Sequence, residues 1–178
     1  MPEIILDKRM GCIADCVRSG AVLADIGTDH GKLPIYLAQK GKIRRAVAAD
    51  INEMPLNKAK NNITKYGLCN MIDTYLTDGL AGIEKYKPTD VVIAGMGGEL
   101  IMQILERQTV EKSGIRYILQ PMTKEDTLRR YLCENGYSII DEYIVKEGKI
   151  YQIICAEYTG EKTELTPALY MLGKKNVG

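Results

Sequence analysis

The chain has 178 residues, 46% of them hydrophobic, which suffices for one domain with a buried core and is short for two independent domains. It has no apolar run long enough to cross a bilayer and no signal-peptide pattern, so we expect a cytoplasmic protein with no membrane partner. With 24 basic and 23 acidic residues, the net charge of +1 does not indicate the concentrated positive surface typical of nucleic-acid-binding proteins.

The cysteines argue against a metal site. The five cysteines form no CxxC pair, and a single histidine is available to complete a ligand set. We therefore expect no metal. The odd cysteine count also fits a reducing compartment.

The first half of the chain alternates between helix and strand patterns. Residues 4–18 place apolar side chains at helical spacing, and residues 21–27 form a short apolar run that ends at glycine. A helix over 32–39, a strand over 45–51 and a second amphipathic helix that ends at Gly67 follow. This alternation predicts parallel strands joined by crossover helices.

The alternation continues in the second half. The sequence predicts a third strand over 72–76, a short helix over 81–86 and a fourth strand over 90–94. A helix over 99–107 and a fifth strand over 115–119 come next. The strand and helix patterns thus keep their order up to this point.

The last elements break the pattern. A helix over 124–134 is followed by strands over 137–146 and 150–158, joined by only three residues. That connection is too short for a crossover helix and predicts an antiparallel hairpin. The chain is therefore expected to form an α/β, Rossmann-like fold of the methyltransferase type: a mostly parallel seven-stranded sheet with a C-terminal antiparallel hairpin and helices on both faces.

Ligands of such sheets bind beyond the carboxyl ends of the strands, where the strand order reverses. The first strand leads into the sequence DIGTDHG, in which Asp25 either anchors the turn or receives a cationic group. This is not GxGxxG, and Asp29 places negative charge where a diphosphate would bind. An acidic loop suits S-adenosylmethionine, which has a sulfonium and an ammonium group. Capping of the next helix is an equally good interpretation of the Asp29 side chain.

The ends of the next two strands complete an adenosine-shaped pocket. Asp50 lies 25 residues after Asp25, where an acid can accept hydrogen bonds from both ribose hydroxyls. Asp78 precedes Gly79 after the third strand and could accept the adenine amino group. The alternative is that Asp78 is an ordinary turn residue.

The fourth strand opens into small residues beside the expected position of the transferred methyl. We expect Gly95 to contact the cofactor, and Gly97 and Gly98 to leave room for a flat substrate base. The Asn/Asp-Pro-Pro-aromatic motif common in enzymes that methylate exocyclic amines is absent here. This favours a ring nitrogen such as N1 of adenine, which already presents a lone pair and needs less proton removal before attack.

Together these residues resemble the bacterial tRNA (adenine(22)-N1)-methyltransferases over roughly residues 5–158. The resemblance rests on four strings, LDKR at 6–9, DIGTDHGKLPIY at 25–36, IAGMGG at 93–98 and ILQP at 118–121. It implies tRNA as the partner, adenine 22 as the target, and Arg9, Gln120 and Pro121 around the substrate. It also implies cofactor contacts from Asp25, Gly27, Asp29, His30, Asp50, Asp78, Gly79 and Met96.

Within this framework Asp29 is the candidate catalytic residue. It either hydrogen-bonds the 6-amino group of the target adenine or stabilises the cationic 1-methyladenine as it forms. For contacts to the tRNA backbone the sequence offers Lys8, Arg9, Lys32, Lys124, Arg129 and Arg130. The denser basic cluster of Lys40, Lys42, Arg44 and Arg45 is interpreted as a solvated loop at the opposite edge of the sheet.

We expect residues 1–160 to form the catalytic domain and 161–178 a short C-terminal tail, the start of a truncated helical extension that begins at Thr166-Pro167. The family that the chain resembles continues into a longer helical segment. Either this chain is shortened or its mode of tRNA binding is unusual. Two other functions stay open: a small-molecule methyltransferase that uses the same cofactor, and a non-catalytic RNA- or protein-binding module. Salt-dependent tRNA binding would separate the first of these from a tRNA enzyme.

Overall fold

The computed structural model describes residues 3–173, which form seven strands, six α-helices and one 3-10 turn. The helices and strands in chain order are α1 (Lys8–Cys16), β1 (Ala21–Ile26), α2 (Lys32–Gln39), β2 (Ile43–Asp50), α3 (Glu53–Lys65), β3 (Ile72–Leu76), β4 (Asp90–Met96), α4 (Gly98–Glu106), β5 (Arg116–Pro121), α5 (Glu125–Glu134), β6 (Tyr137–Glu147), β7 (Lys149–Tyr158) and α6 (Pro167–Leu172).

The seven strands form one sheet in the order β3-β2-β1-β4-β5-β7-β6. Strands β1 to β5 are parallel to one another, and β7 pairs antiparallel with both β5 and β6. The predicted mostly parallel sheet and its C-terminal hairpin are confirmed. Since the chain runs outward from β1 to β3 and then returns to β4, the strand order reverses between β1 and β4.

The sheet is buried on both faces, as a parallel sheet requires. Side chains of α1, α2 and α3 cover one face, where Leu23 of β1 is fully buried. Side chains of α4, α5 and α6 cover the other, where Ala24 of the same strand is fully buried. This explains why the β1 sequence is an unbroken apolar run.

The predicted short helix over 81–86 and the predicted basic loop both differ from the structure. The segment over 81–86 contains only a 3-10 turn at Glu84–Tyr86, because Gly79 and Gly82 adopt left-handed φ angles of 63° and 73° that interrupt a helix. The basic cluster is also not a loop throughout. Strand β2 begins at Ile43, so Arg44 and Arg45 are exposed residues of a strand.

Arg129 was predicted to reach the tRNA backbone, and this is wrong because the side chain is only 1% exposed. Its guanidinium donates to Glu142 at 2.7 Å, to the carbonyl of Tyr170 at 2.9 Å and to Gln152. These contacts join α5 to the hairpin and to α6. The expected short helix after Thr166 is present as α6, with the Thr166 side chain accepting from the N–H of Leu169.

Within residues 3–173 no helix is long and apolar enough to cross a bilayer. In the same range no three His, Cys, Asp or Glu side chains are grouped so as to hold a metal ion.

Candidate functional site

Two adjoining cavities open at the carboxyl edge of the sheet, where the strand order reverses. The α1 cavity, of about 470 Å³, is lined by Ile5, Leu6, Asp7, Arg9, Met10, Asp25, Gly27, Asp29, Lys32, Leu33, Ala94, Gly95 and Met122. The β2 cavity, of about 350 Å³, is lined by Ile26, Gly27, Asp50, Ile51, Asn52, Thr77, Asp78, Gly79, Ala94, Gly95, Met96, Leu100 and Ile104. Gly27, Ala94 and Gly95 line both cavities, so one elongated ligand can occupy them together.

Glycines form the wall that the cavities share. Gly27 and Gly95 both adopt left-handed backbone, with φ of 74° and 75°. A Cβ on Gly27 would lie 2.2 Å from Cε of Met96. The Met96 side chain therefore packs directly against the backbone of the β1–α2 turn, where only a glycine leaves room for it.

Asp25 is a buried carboxylate without a cationic partner among the residues that the structure describes. Its side chain accepts a 2.6 Å hydrogen bond from the hydroxyl of Thr28, and the residue is 6% exposed. Burial raises the pKa of Asp25 to about 6, with the charges of Asp29 and Asp50 adding to the rise and the Thr28 bond opposing it. The carboxylate anchors the turn through Thr28 and also lines the α1 cavity.

Asp50 and Asp78 both line the β2 cavity. Asp50 is partly exposed, and its Oδ1 accepts from the backbone N–H of Asn52 at 2.8 Å. The carboxylate of Asp78 forms an exposed ion pair with Arg107, with 3.2 Å between Nη1 and Oδ2. The two acids are therefore available to hydroxyl or amino groups of a ligand, Asp78 only in competition with Arg107.

Asp29 lines the α1 cavity with a side chain that is 67% exposed. The carboxylate pairs with Nζ of Lys32 at 3.1 Å. It does not cap α2, since the N-cap residue is Gly31 and no side chain bonds that end. The alternative interpretation of Asp29 as a helix cap is therefore wrong. The neighbouring His30 has a left-handed φ of 57°, and its carbonyl accepts from the Asn62 amide.

Arg9 reaches the α1 cavity from the first turn of α1. Its Nη1 donates to Oε1 of Gln120 at 2.8 Å, and the same oxygen accepts from the backbone N–H of Gly95 at 3.2 Å. Gln120 is fully buried, and its Nε2 donates to the carbonyl of Pro121 at 2.7 Å. Gln120 thus fixes a guanidinium and the shared glycine wall without lining either cavity itself.

The structure brings most of the expected site residues together. Arg9, Asp25, Gly27, Asp29, Asp50, Asp78, Gly79, Gly95 and Met96 line one or both cavities, whereas His30, Gly97, Gly98, Gln120 and Pro121 line neither. Gly98 serves close packing instead: its N–H donates to the carbonyl of Thr123, and a Cβ there would lie 2.7 Å from that oxygen.

Sequence reasoning missed the apolar residues of the rim and the contribution of the hairpin. Ile5, Leu100 and Met122 are exposed at the cavities, and nothing in a single sequence distinguishes them from ordinary surface residues. Glu147 and Tyr151 contact Arg9 from more than 130 positions away along the chain. A pattern within a short window contains no signal for such a contact.

The chain is similar to known methyltransferases. The methyltransferase domain family matches residues 6–154. The tRNA (adenine(22)-N(1))-methyltransferase of Bacillus subtilis is 40% identical over 159 residues, covering 88% of this chain and 67% of that protein. The structure of the B. subtilis M1A22 tRNA methyltransferase TrmK superposes with a TM-score of 0.87 at 36% identity, covering 96% of this chain and 76% of that one.

A third match is the structure of M. capricolum TrmK in complex with S-adenosyl-homocysteine. It has a TM-score of 0.85 at 32% identity and covers 96% of this chain and 76% of that one. The Rossmann-like methyltransferase fold expected from the sequence is confirmed by these superpositions. The chain therefore belongs to the tRNA (adenine(22)-N(1))-methyltransferase family.

Proposed function

We propose that this protein transfers the methyl group of S-adenosylmethionine to N1 of adenine 22 in tRNA. The observation that supports this most is the pair of cavities meeting at Gly27 and Gly95, in a chain 40% identical to a methyltransferase of that name. One cavity offers acids for an adenosine, and the other offers room for a second, flat group. A tRNA substrate is consistent with a cytoplasmic protein.

The residues of the two cavities fit S-adenosylmethionine. The carboxylate of Asp50 would accept the ribose hydroxyls, and that of Asp78 the adenine amino group. Asp25 would receive the ammonium group of the amino-acid end, which satisfies a buried carboxylate that has only a hydroxyl partner. Bound there, the cofactor supplies an electrophilic methyl group on a cationic sulfur.

The target adenine would enter the α1 cavity, next to Gly95 and Arg9. No side chain has to remove a proton first, because N1 of adenine already presents a lone pair. The contribution of the chain is therefore positioning, which holds N1 in line with the methyl group and excludes water. The adenine must be unstacked from the folded tRNA to reach this cavity.

Asp29 would act on the base itself. It lies in the β1–α2 turn and lines the α1 cavity with an exposed carboxylate. We assign it to the 6-amino group of adenine or to the positive charge that develops on the ring during transfer. His30, Gly97, Gly98 and Pro121 would support the surrounding backbone.

In this proposal residues 1–160 are the catalytic domain and 161–178 a C-terminal tail, of which the described part, 161–173, packs on the domain. The described part of the tail is held by α5, where the N–H of Thr163 donates to the carbonyl of Cys133 and Tyr170 is 4% exposed.

The experiment that tests the function is methyl transfer from labelled S-adenosylmethionine to unmodified bacterial tRNA transcripts. Incorporation into a transcript with adenine 22, and none into the A22→G transcript, is the expected result. Cofactor binding without incorporation into either transcript would instead point to a small-molecule substrate.

The role of Asp29 is tested by Asp29→Asn and Asp29→Ala. Loss of one such electrostatic contact lowers kcat by about 10²-fold, and binding of the cofactor should change little. Normal cofactor binding with full turnover in Asp29→Ala would show that Asp29 has no part in the chemistry.

A further inference from the structure

The β6–β7 hairpin extends past the edge of the sheet where the cavities open. β5 pairs with β7 only as far as Leu119↔Ile154, whereas β6 and β7 stay paired as far as Glu147↔Lys149. At about 3.3 Å per residue, the end of the hairpin therefore projects roughly 15 Å beyond the last β5 pair. Because β7 is antiparallel to β5, this projecting tip stands at the carboxyl edge.

The tip contacts the first turn of α1 directly. The Glu147 carboxylate accepts from the backbone N–H of Lys8 at 3.2 Å and from that of Arg9 at 3.3 Å. The ring of Tyr151 lies 5.4 Å from Cζ of Arg9. Lys149 is paired with Glu147 and lies two positions before Tyr151, so its side chain leaves the hairpin on this same face.

Two lysines lie on this surface. Lys8 and Lys149 are exposed, and neither forms an ion pair within residues 3–173. Both oxygens of the neighbouring carboxylate, Glu147, accept from backbone N–H groups. Elsewhere on the chain Lys32 and Lys40 do have acidic partners, Asp29 and Glu3.

We propose that the hairpin tip and the first turn of α1 form a binding surface for the RNA phosphates that flank the target nucleotide. The identity of the RNA rests on the proposed function. Lysines hold phosphates without reading bases, and Arg9 extends the positive surface into the α1 cavity. Glu147 holds the hairpin tip against α1. An RNA strand whose phosphates bind at the tip would therefore have its target nucleotide at the opening of the α1 cavity.

The test compares two double variants that remove the same charge. Lys8→Ala/Lys149→Ala alters the proposed surface, and Lys58→Ala/Lys60→Ala removes two exposed lysines of α3 that also lack an ion pair within the described residues. The affinity for an unmodified tRNA transcript with adenine 22 is measured between about 50 and 200 mM salt. The slope of log K against log salt should weaken by about 1.5 in the hairpin variant and stay at the wild-type value in the α3 variant.

Equal slopes in the two double variants would overturn the surface. A single Lys149→Gln variant gives a second reading, with an expected slope change of about half that of the pair. Methyl transfer by the wild-type protein is measured in the same preparations. If the wild-type protein methylates adenine 22 but the salt slope of the hairpin variant is unchanged, the proposed function stands and the proposed binding surface is wrong. If only the hairpin variant changes the salt slope but the wild-type protein transfers no methyl group, the binding surface stands and the proposed function is wrong.

Discussion

Two buried carboxylates on neighbouring parallel strands, Asp25 of β1 and Asp90 of β4, have opposite environments. Asp90, at the amino edge of the sheet, is fully buried and accepts from Nε of Arg18 at 2.9 Å and from the Arg18 backbone N–H at 2.8 Å. Asp25, near the carboxyl edge, is 6% exposed and has a hydroxyl as its partner. Asp90 already has the cation that compensates its burial, so losing that cation would destabilise the fold, whereas the unpaired Asp25 is a candidate for binding a cationic ligand group.

The largest effect is expected at the amino edge, from Arg18→Ala. This change leaves Asp90 buried without its guanidinium, which costs about 3 to 5 kcal/mol of unfolding free energy. Urea denaturation measures it. Cofactor affinity of the folded fraction should stay at the wild-type value, because Arg18 and Asp90 line neither cavity. A loss of less than 1 kcal/mol would contradict the structural role of this pair.

The second prediction removes the charge at the carboxyl edge. The rise in the pKa of Asp25 from 3.8 to about 6 means that the folded state binds the proton more tightly than the unfolded chain. Stability from this group is therefore lost as pH rises from about 4 to 6, and the full cost, about 3 kcal/mol, is present above pH 6. Asp25→Asn should raise the unfolding free energy at pH 8 by about 1 to 3 kcal/mol and change it little at pH 4.

The same variant should bind S-adenosylmethionine about 10- to 100-fold more weakly at pH 8, since the ionic contact to the ammonium group is lost. In the wild type, affinity should rise with pH up to about 6 and then level off, because only the ionised Asp25 attracts a cation. Calorimetric titration across this range measures both. Wild-type affinity in Asp25→Asn would show that the carboxylate serves the turn alone.

The third prediction concerns the wall between the cavities. Gly27→Ala and Gly41→Ala both place a Cβ on left-handed backbone, with φ of 74° and 64°, at a cost of about 1 to 2 kcal/mol each. At Gly27 the new methyl also meets Met96, whereas nothing lies within 4 Å at Gly41. Cofactor affinity should therefore fall at least about tenfold in Gly27→Ala only. An equal loss of cofactor affinity in Gly41→Ala would show that backbone strain, and not the contact with Met96, causes the effect.

The same contrast between edges shows what the sequence could and could not reveal. The ends of β1 and β2 could be located approximately, because each of these strands has an acid, Asp25 or Asp50, at or next to its last residue. The burial of Arg129 could not be predicted, because the surrounding α5 sequence is charged and resembles an exposed helix. Its partners, Glu142 and Gln152, come into contact with it only in the folded chain. Local sequence patterns predict a strand and the loop that follows it. They do not predict side-chain contacts with residues that are distant in the sequence.

The smallest effects are expected from two exposed ion pairs, one at each edge. Arg107 pairs with Asp78 at the β2 cavity and Arg45 with Asp73 at the amino edge, both at 3.2 Å. Arg107→Ala and Arg45→Ala should each change the unfolding free energy by less than about 1 kcal/mol. Only Arg107→Ala frees a carboxylate for the adenine amino group, so it alone should tighten cofactor binding, by about two- to fivefold. Weaker cofactor binding in Arg107→Ala would contradict this expectation. It would mean that Arg107 contacts the cofactor directly and that Asp78 holds the Arg107 guanidinium in place.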